Sequence, residues 1–225
     1  MIYKETAEKN EIKVNEKEIY RYLGYGKEIP DSETLKAIYE LLDELINSVN
    51  FSACFKIQDI SISENIINFE SFSAFSKSLS KNLKDCDRCV IFCASIGSGV
   101  DRVISKYSRI SPSKAVICHA VGTAIIEEWC DLLCERISEK LKDDGLFLRP
   151  RFSPGYGDFS IEHQRDILNL LNPAKHIGVS LTDSLMMIPS KSVSGVIGLS
   201  KENKNCNKMG CEVCKMRKEC DYSRG

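Results

Sequence analysis

Residues 148–159, LRPRFSPGYGDF, put an arginine, a serine, two glycines and a tyrosine into one short loop. Glycines at 155 and 157 allow backbone to come close to a bound molecule. Arg151 offers a planar fork for a carboxylate or phosphate, and Tyr156 offers a ring face and a hydroxyl. The plain alternative is a rigid surface turn with Arg151 solvated; loops carry binding residues disproportionately, so both readings stand. The second stretch with chemical capacity is the last one. Cys206, Cys211, Cys214 and Cys220 form C-x4-C-x2-C-x5-C in a polar, basic segment. Four thiolates so closely spaced point to a metal, and tetrahedral zinc and an iron–sulfur cluster both accept four sulfur ligands. The alternative is a reduced tail without metal.

The other seven of the eleven cysteines lie between Cys54 and Cys134. Cys86, Cys89 and Cys93 read C-x2-C-x3-C, but Cys89 and Cys93 share a strand face with Ile91. They are expected to pack as small hydrophobes, as are Cys118, Cys130 and Cys134. Of the three histidines, His119 sits in an apolar helical run and is expected in the core. His163 and His176 are expected at the surface.

These residues need elements to hold them. Leu35, Ile38, Leu42, Leu45 and Val49 recur at helical spacing over 31–49, with Asp31 or Ser32 as cap. Residues 53–69 predict two strands joined near Glu64-Asn65. Residues 71–84 predict a helix capped by Ser71, with Phe72, Phe75, Leu79 and Leu83 on one face. CVIFCA, residues 89–94, predicts a buried strand that runs into Gly97-Ser98-Gly99 and a helix bearing Val100, Ile104 and Tyr107. Ser111-Pro112 then opens a long helix to about Lys142, with an enclosed apolar first half and an amphipathic second half. A short helix from Ser160 ends at Pro173. Residues 177–200 predict paired extended segments around a Pro-Ser-Lys-Ser turn.

Strands and helices do not alternate strictly, so the fold class is α+β. We expect an antiparallel or mixed sheet packed with helices, one of them long and central, over residues 1–200. A Cys-rich appendage would occupy 201–225. Lys+Arg number 31 against 32 Asp+Glu, which excludes the basic excess of a nucleic-acid binder. Hydrophobic residues at 43% exclude disorder as a description of the chain. No apolar run approaches the ~20 residues that span a bilayer. MIYKETAEKNEIKV is polar, so a cytoplasmic location is expected.

The chain resembles the reactivation domain of cobalamin-dependent methionine synthase. RFSPGYGD looks like that family's R-x-x-x-G-Y signature. SLTDSLMMIPSKSVSG resembles its L-T-E-S-x-x-M-x-P-x-x-S-V-S-G segment. IIEEWCDLLCERI resembles a helix ending in E-R-V. The resemblance covers about residues 90–198. It departs in two places: Gly157-Asp158 stands where the family has proline and cysteine, and Ile188 where it has tryptophan.

The resemblance implies that S-adenosylmethionine is bound and presented to a cobalamin held elsewhere. Its methyl group and one electron then restore methylcobalamin after accidental oxidation. Carried over by position, Arg151, Ser153, Gly155 and Tyr156 surround the ligand, and Glu127, with Glu128 as neighbouring candidate, faces it. An arginine suits the ligand's carboxylate, and a glutamate its cations. No histidine here sits in the D-x-H-x-x-G motif by which cobalamin modules hold cobalt. The implied partner is therefore a separate cobalamin-binding methionine synthase or other corrinoid protein, acted on in trans. The electron would come from a flavodoxin- or ferredoxin-like donor, or from an iron–sulfur cluster in the tail. Two other function classes remain open: an electron-delivery module for a corrinoid methyltransferase that uses no S-adenosylmethionine, and a structural zinc protein.

Overall fold

A computed structural model describes residues 1–202. The metal assignment to Cys206, Cys211, Cys214 and Cys220 lies outside the described residues.

The strands are β1 (Tyr3–Ala7), β2 (Phe51–Asp59), β3 (Ser61–Ser63), β4 (Ile66–Asn68), β5 (Ser73–Phe75), β6 (Arg88–Ser95), β7 (Phe147–Leu148), β8 (Ser180–Leu181), β9 (Met187–Ile188) and β10 (Ser192–Ser200). The helices are α1 (Glu16–Tyr22), α2 (Ser32–Ser48), α3 (Lys77–Asn82), α4 (Ser98–Ile110), α5 (Pro112–Leu141), α6 (His163–Leu171) and α7 (Pro173–Ile177). The main sheet is five-stranded, in the order β1-β2-β6-β10-β7, and every pairing in it is antiparallel. β3–β4–β5 and β8–β9 form two smaller sheets.

Strand alternation divides the interior into two cores, because successive side chains point to opposite faces. On β6, Val90, Phe92 and Ala94 face a core built by α1, α2, α4 and α5. Cys89, Ile91 and Cys93 face a second core with Leu79 of α3, Ile167, Leu168 and Leu171 of α6, and the small β3–β5 sheet. The sulfur-rich face is therefore packing, as its pattern with Ile91 predicts. Burial pushes the Cys54 and Cys89 thiols up to about 12 and that of Cys118 to about 11, so they stay protonated.

α5 lies across the first core. Pro112 sits in its first turn, and Trp129, fully buried, donates Nε1–H to the Ser52 carbonyl at 3.2 Å. Its far end is tied to the N-terminal strand: Arg136 donates to the Thr6 carbonyl (2.6 Å) and pairs with Glu11 (2.6 Å). Among the described residues no helix is long and apolar enough to cross a membrane.

Several elements differ from the sequence reading. Residues 71–84 are not one helix. Ser73–Phe75 is a strand on β4, and α3 begins only after Ser76, whose side chain caps it by accepting from Leu79 N (3.0 Å). Pairing to β4 overrides the helical spacing of the aromatics. Residues 53–69 hold three strands, the break falling at Ile60; Glu64 and Asn65 do form the turn, with φ of 50° and 69°. In 177–200 the paired segments are β8 and β9, joined through 182–186, while β10 pairs with β6 and β7. The Pro-Ser-Lys-Ser run marks the passage into β10. His119 is exposed, not core: the first half of α5 leaves one polar stripe open. His163 and His176 are half-buried instead of at the surface. His163 stacks on Phe159, centroids 5.2 Å apart, and accepts or donates at Asp166 (2.8 Å).

Candidate functional site

The loop between β7 and α6 is fixed on three sides. Its first side is β10: Arg149 N donates to the Gly198 carbonyl (2.8 Å), and Phe152 and Val196 exchange two backbone hydrogen bonds of 2.9 Å. A Cβ on Gly195 would stand 2.9 Å from the Phe152 carbonyl oxygen. Only glycine lets the loop lie this close to the strand. Ser153 Oγ borders the same spot, 3.2 Å from that Cβ position.

The second side is α5. Arg151 Nη2 donates to Glu127 Oε2 at 2.9 Å, and Nη1 to Asp131. Nη1 also lies 3.7 Å from Cys134 Sγ. Glu127 and Asp131 are one helical turn apart, so one guanidinium spans both. Burial works against the Arg151 charge, and the Asp131 carboxylate bonded to it offsets that penalty and holds it firmly protonated.

The third side is α3. Asp158 accepts from Ser76 Oγ (2.6 Å), Lys77 N (2.9 Å) and Ser78 N (3.0 Å). These bonds, the Ser76 hydroxyl and the Ser78 amide foremost, hold its carboxyl well below the usual carboxylate range. Asp158 thus closes donors that the start of a helix leaves open.

Gly155 has φ of +88°, a left-handed conformation that favours glycine, and its N–H closes the turn on the Phe159 carbonyl (2.7 Å). That turn pushes Tyr156 outward: the residue is 66% exposed and its ring meets Phe152 edge-on at 5.3 Å.

The structure therefore joins Arg151 directly to Glu127, and sets Ser153 against β10. Gly155 shapes the turn that presents Tyr156. Glu128 is half-buried on the same helix, but the ion pair to Arg151 goes to Glu127. Sequence reading missed three residues around this site. Asp131 takes the second Arg151 bond, and its signal was present: it stands one turn after Glu127. Thr123 stands one turn before, and Lys191 donates to its hydroxyl at 2.8 Å. A cleft of about 700 Å³ lies elsewhere, between the end of β2 and the small β3–β5 sheet. No residue of the 148–159 loop lines it; among its lining charges, Lys56 pairs with Glu70 and Arg88 with Asp59.

Comparison with protein families places residues 70–222, more than half of the chain, in the family described as "Vitamin B12 dependent methionine synthase, activation domain". The chain belongs to that family. Among solved structures it is similar to the MetH reactivation domain bound to AdoHcy, with a TM-score of 0.69 at 14% identity. The likeness covers 91% of this chain and 80% of that one. At this identity it speaks for the shared fold. No curated protein matches the chain.

Proposed function

We propose that this protein binds S-adenosylmethionine between the 149–159 loop and α5 and serves the reactivation of a cobalamin carried by a separate methionine synthase or other corrinoid protein. The observation that carries the reading is the Arg151–Glu127–Asp131 cluster, which joins the signature loop to the long helix in a chain of the activation-domain family. One guanidinium between two carboxylates leaves a net negative charge. That suits the ammonium and sulfonium of the ligand, and Glu127 is the residue placed to meet them.

The chain's own groups divide the work. Arg151 fixes the Glu127 carboxylate on α5. Gly195 and Ser153 line the narrow space where the loop meets β10. The Gly155 turn holds Tyr156 over the outer side. When bound, S-adenosylmethionine supplies a methyl group to reduced cobalt on the partner. No acid or base is required of the protein for that transfer, only positioning and exclusion of water. The electron comes from an external flavodoxin- or ferredoxin-like donor, or from an iron–sulfur cluster on Cys206, Cys211, Cys214 and Cys220; zinc on those cysteines would hold the tail in shape and carry no electron.

Calorimetric titration of the protein with S-adenosylmethionine, followed by mixing with an oxidised cobalamin-bearing methionine synthase that lacks this domain and a reductant, tests both halves. Binding and return of the methylcobalamin spectrum are expected. Absence of heat and of any spectral return would reject the reading.

A further inference from the structure

The cleft beside the small β3–β5 sheet contains a polar group that the fold leaves unsatisfied. β1 pairs with β2 only from Phe51 to Phe55, so residues 56–59 run on with β6 alone beside them among the described strands. Gln58 stands there opposite Cys89, and directly opposite residues project to the same face of a sheet. That face is the second core. Gln58 lines the cleft of about 700 Å³ and is only 7% exposed. Neither its Oε1 nor its Nε2 has a hydrogen-bond partner among the described residues. Burial raises the pKa of the Cys89 thiol and the nearby amide lowers it by less, but a thiol is a weak donor and a weak acceptor and leaves the amide open.

A buried amide without partners costs the fold the desolvation of both its atoms, a cost that an apolar side chain at the same strand position would avoid. What the fold does not supply, the cleft can admit, since its volume is that of small-molecule sites. The amide puts an acceptor and a donor side by side in one plane. Its complement is a donor beside an acceptor on a flat edge, which is what nucleobases present; glutamine pairs in this bidentate way with adenine. The walls suit a flat ring. Ile57, Ile60 and Phe69 line the cleft, and Phe69 is backed by Phe72 in a stack of 4.5 Å between centroids. At the rim, Arg88 is held only by a 3.7 Å, solvent-open contact to Asp59. Such a pair is weak, and a guanidinium gains more from the two oxygens of a phosphate.

We infer that this cleft is a second small-molecule site, distinct from the loop site, that takes a nucleoside monophosphate. Gln58 pairs with the edge of the base, and Arg88 meets the phosphate. The inference does not depend on S-adenosylmethionine binding at the 149–159 loop.

Calorimetric titration of the wild-type chain, Gln58→Met and Arg88→Met with uridine, adenosine and their 5′-monophosphates tests it. Uridine is the deciding probe, because adenosine shares its base with S-adenosylmethionine. The wild-type chain is expected to bind uridine, and its monophosphate more tightly. Gln58→Met should weaken both about 10- to 100-fold, the scale of one bidentate amide–base pair. Arg88→Met should leave uridine within about twofold and remove the gain from the phosphate. A measurement on the wild-type chain guards against a folding defect in the variants: the side-chain amide resonances of Gln58 should shift as uridine or its monophosphate is added. No binding of any of the four probes, equal affinities in wild type and Gln58→Met, or amide resonances that stay in place at saturation would overturn the site. Equal affinities of uridine and its monophosphate for the wild-type chain would overturn the part given to Arg88.

Discussion

Arg151 and Asp158 belong to the same loop, seven residues apart, and their surroundings differ in kind. Asp158 is exposed and its charge is satisfied locally, by the Ser76 hydroxyl and two amides at the start of α3. Nothing there asks for a further partner. Arg151 is half-buried, and the cluster around it does not close: one guanidinium meets Glu127 and Asp131, and the stripe continues to Thr123 and Lys191. A charged residue in a motif marks a site only when the balance around it is left open. The Asp158 half of the loop is an anchor; the Arg151 half is where we propose that the ligand binds.

The strongest test of that contrast removes Arg151. Arg151→Ala leaves Glu127 and Asp131 as like charges one turn apart, which costs the helix about 0.2–0.5 kcal/mol. Ligand binding should suffer more, by about 1.5–3 kcal/mol, because Glu127 loses the group that orients it. Calorimetry and a thermal melt on the same sample separate the two effects. Affinity equal to wild type would place the ligand elsewhere.

Gly195→Ala probes where the two halves share a support. Its methyl group would enter 2.9 Å from the Phe152 carbonyl and 3.1 Å from the Phe92 ring. We expect a loss of about 1–3 kcal/mol of stability, the scale of overpacking, as the loop is pushed from β10. Chemical denaturation measures it. Wild-type stability would mean that the loop yields freely and does not preform the site.

Much of this arrangement is legible in the sequence, for identifiable reasons. α2, α4 and α5 show sustained helical spacing and good punctuation, Asp31 before α2 and Pro112 at the start of α5. β6 is a short apolar run whose alternation also explains Cys89 and Cys93. Arg151 and Glu127 were reachable through the motifs. What escaped depended on long-range pairing. Phe72 and Phe75 keep helical spacing, yet β4 draws Ser73–Phe75 into a strand. His119 lies in an apolar run, but its helix leaves one stripe uncovered by the sheet. Lys191 carries no local signal at all: it meets Gly122 and Thr123 only because the chain enters β10 beside α5.

Asp158 gives a smaller effect with a clear direction. The native carboxyl titrates well below its unfolded value of about 3.9. Its stabilising contribution is therefore complete above that unfolded value and is lost as pH falls through the depressed native one. Asp158→Asn should lower the melting temperature at pH 7, with the difference from wild type shrinking only below about pH 4. Ligand affinity should change less than in Arg151→Ala. A larger loss of affinity in Asp158→Asn than in Arg151→Ala would invert the division of the loop into anchor and site.

Tyr156 gives the smallest effect on stability and the finest test. The residue is 66% exposed, and its ring meets Phe152 edge-on. Truncation to alanine should change folding stability by no more than about 0.5 kcal/mol, as for most surface substitutions. A residue that merely decorates the turn would then also leave ligand affinity untouched. If instead the Gly155 turn presents the ring to the ligand, Tyr156→Ala weakens S-adenosylmethionine while stability holds. Tyr156→Phe then decides which part of the side chain acts. Full affinity in the phenylalanine variant assigns the role to the ring face, through stacking or a cation–π contact with the sulfonium side of the ligand. A loss equal to that of alanine assigns it to the hydroxyl. Affinity unchanged in both variants would remove Tyr156 from the site and confine the binding half of the loop to Arg151 and Ser153.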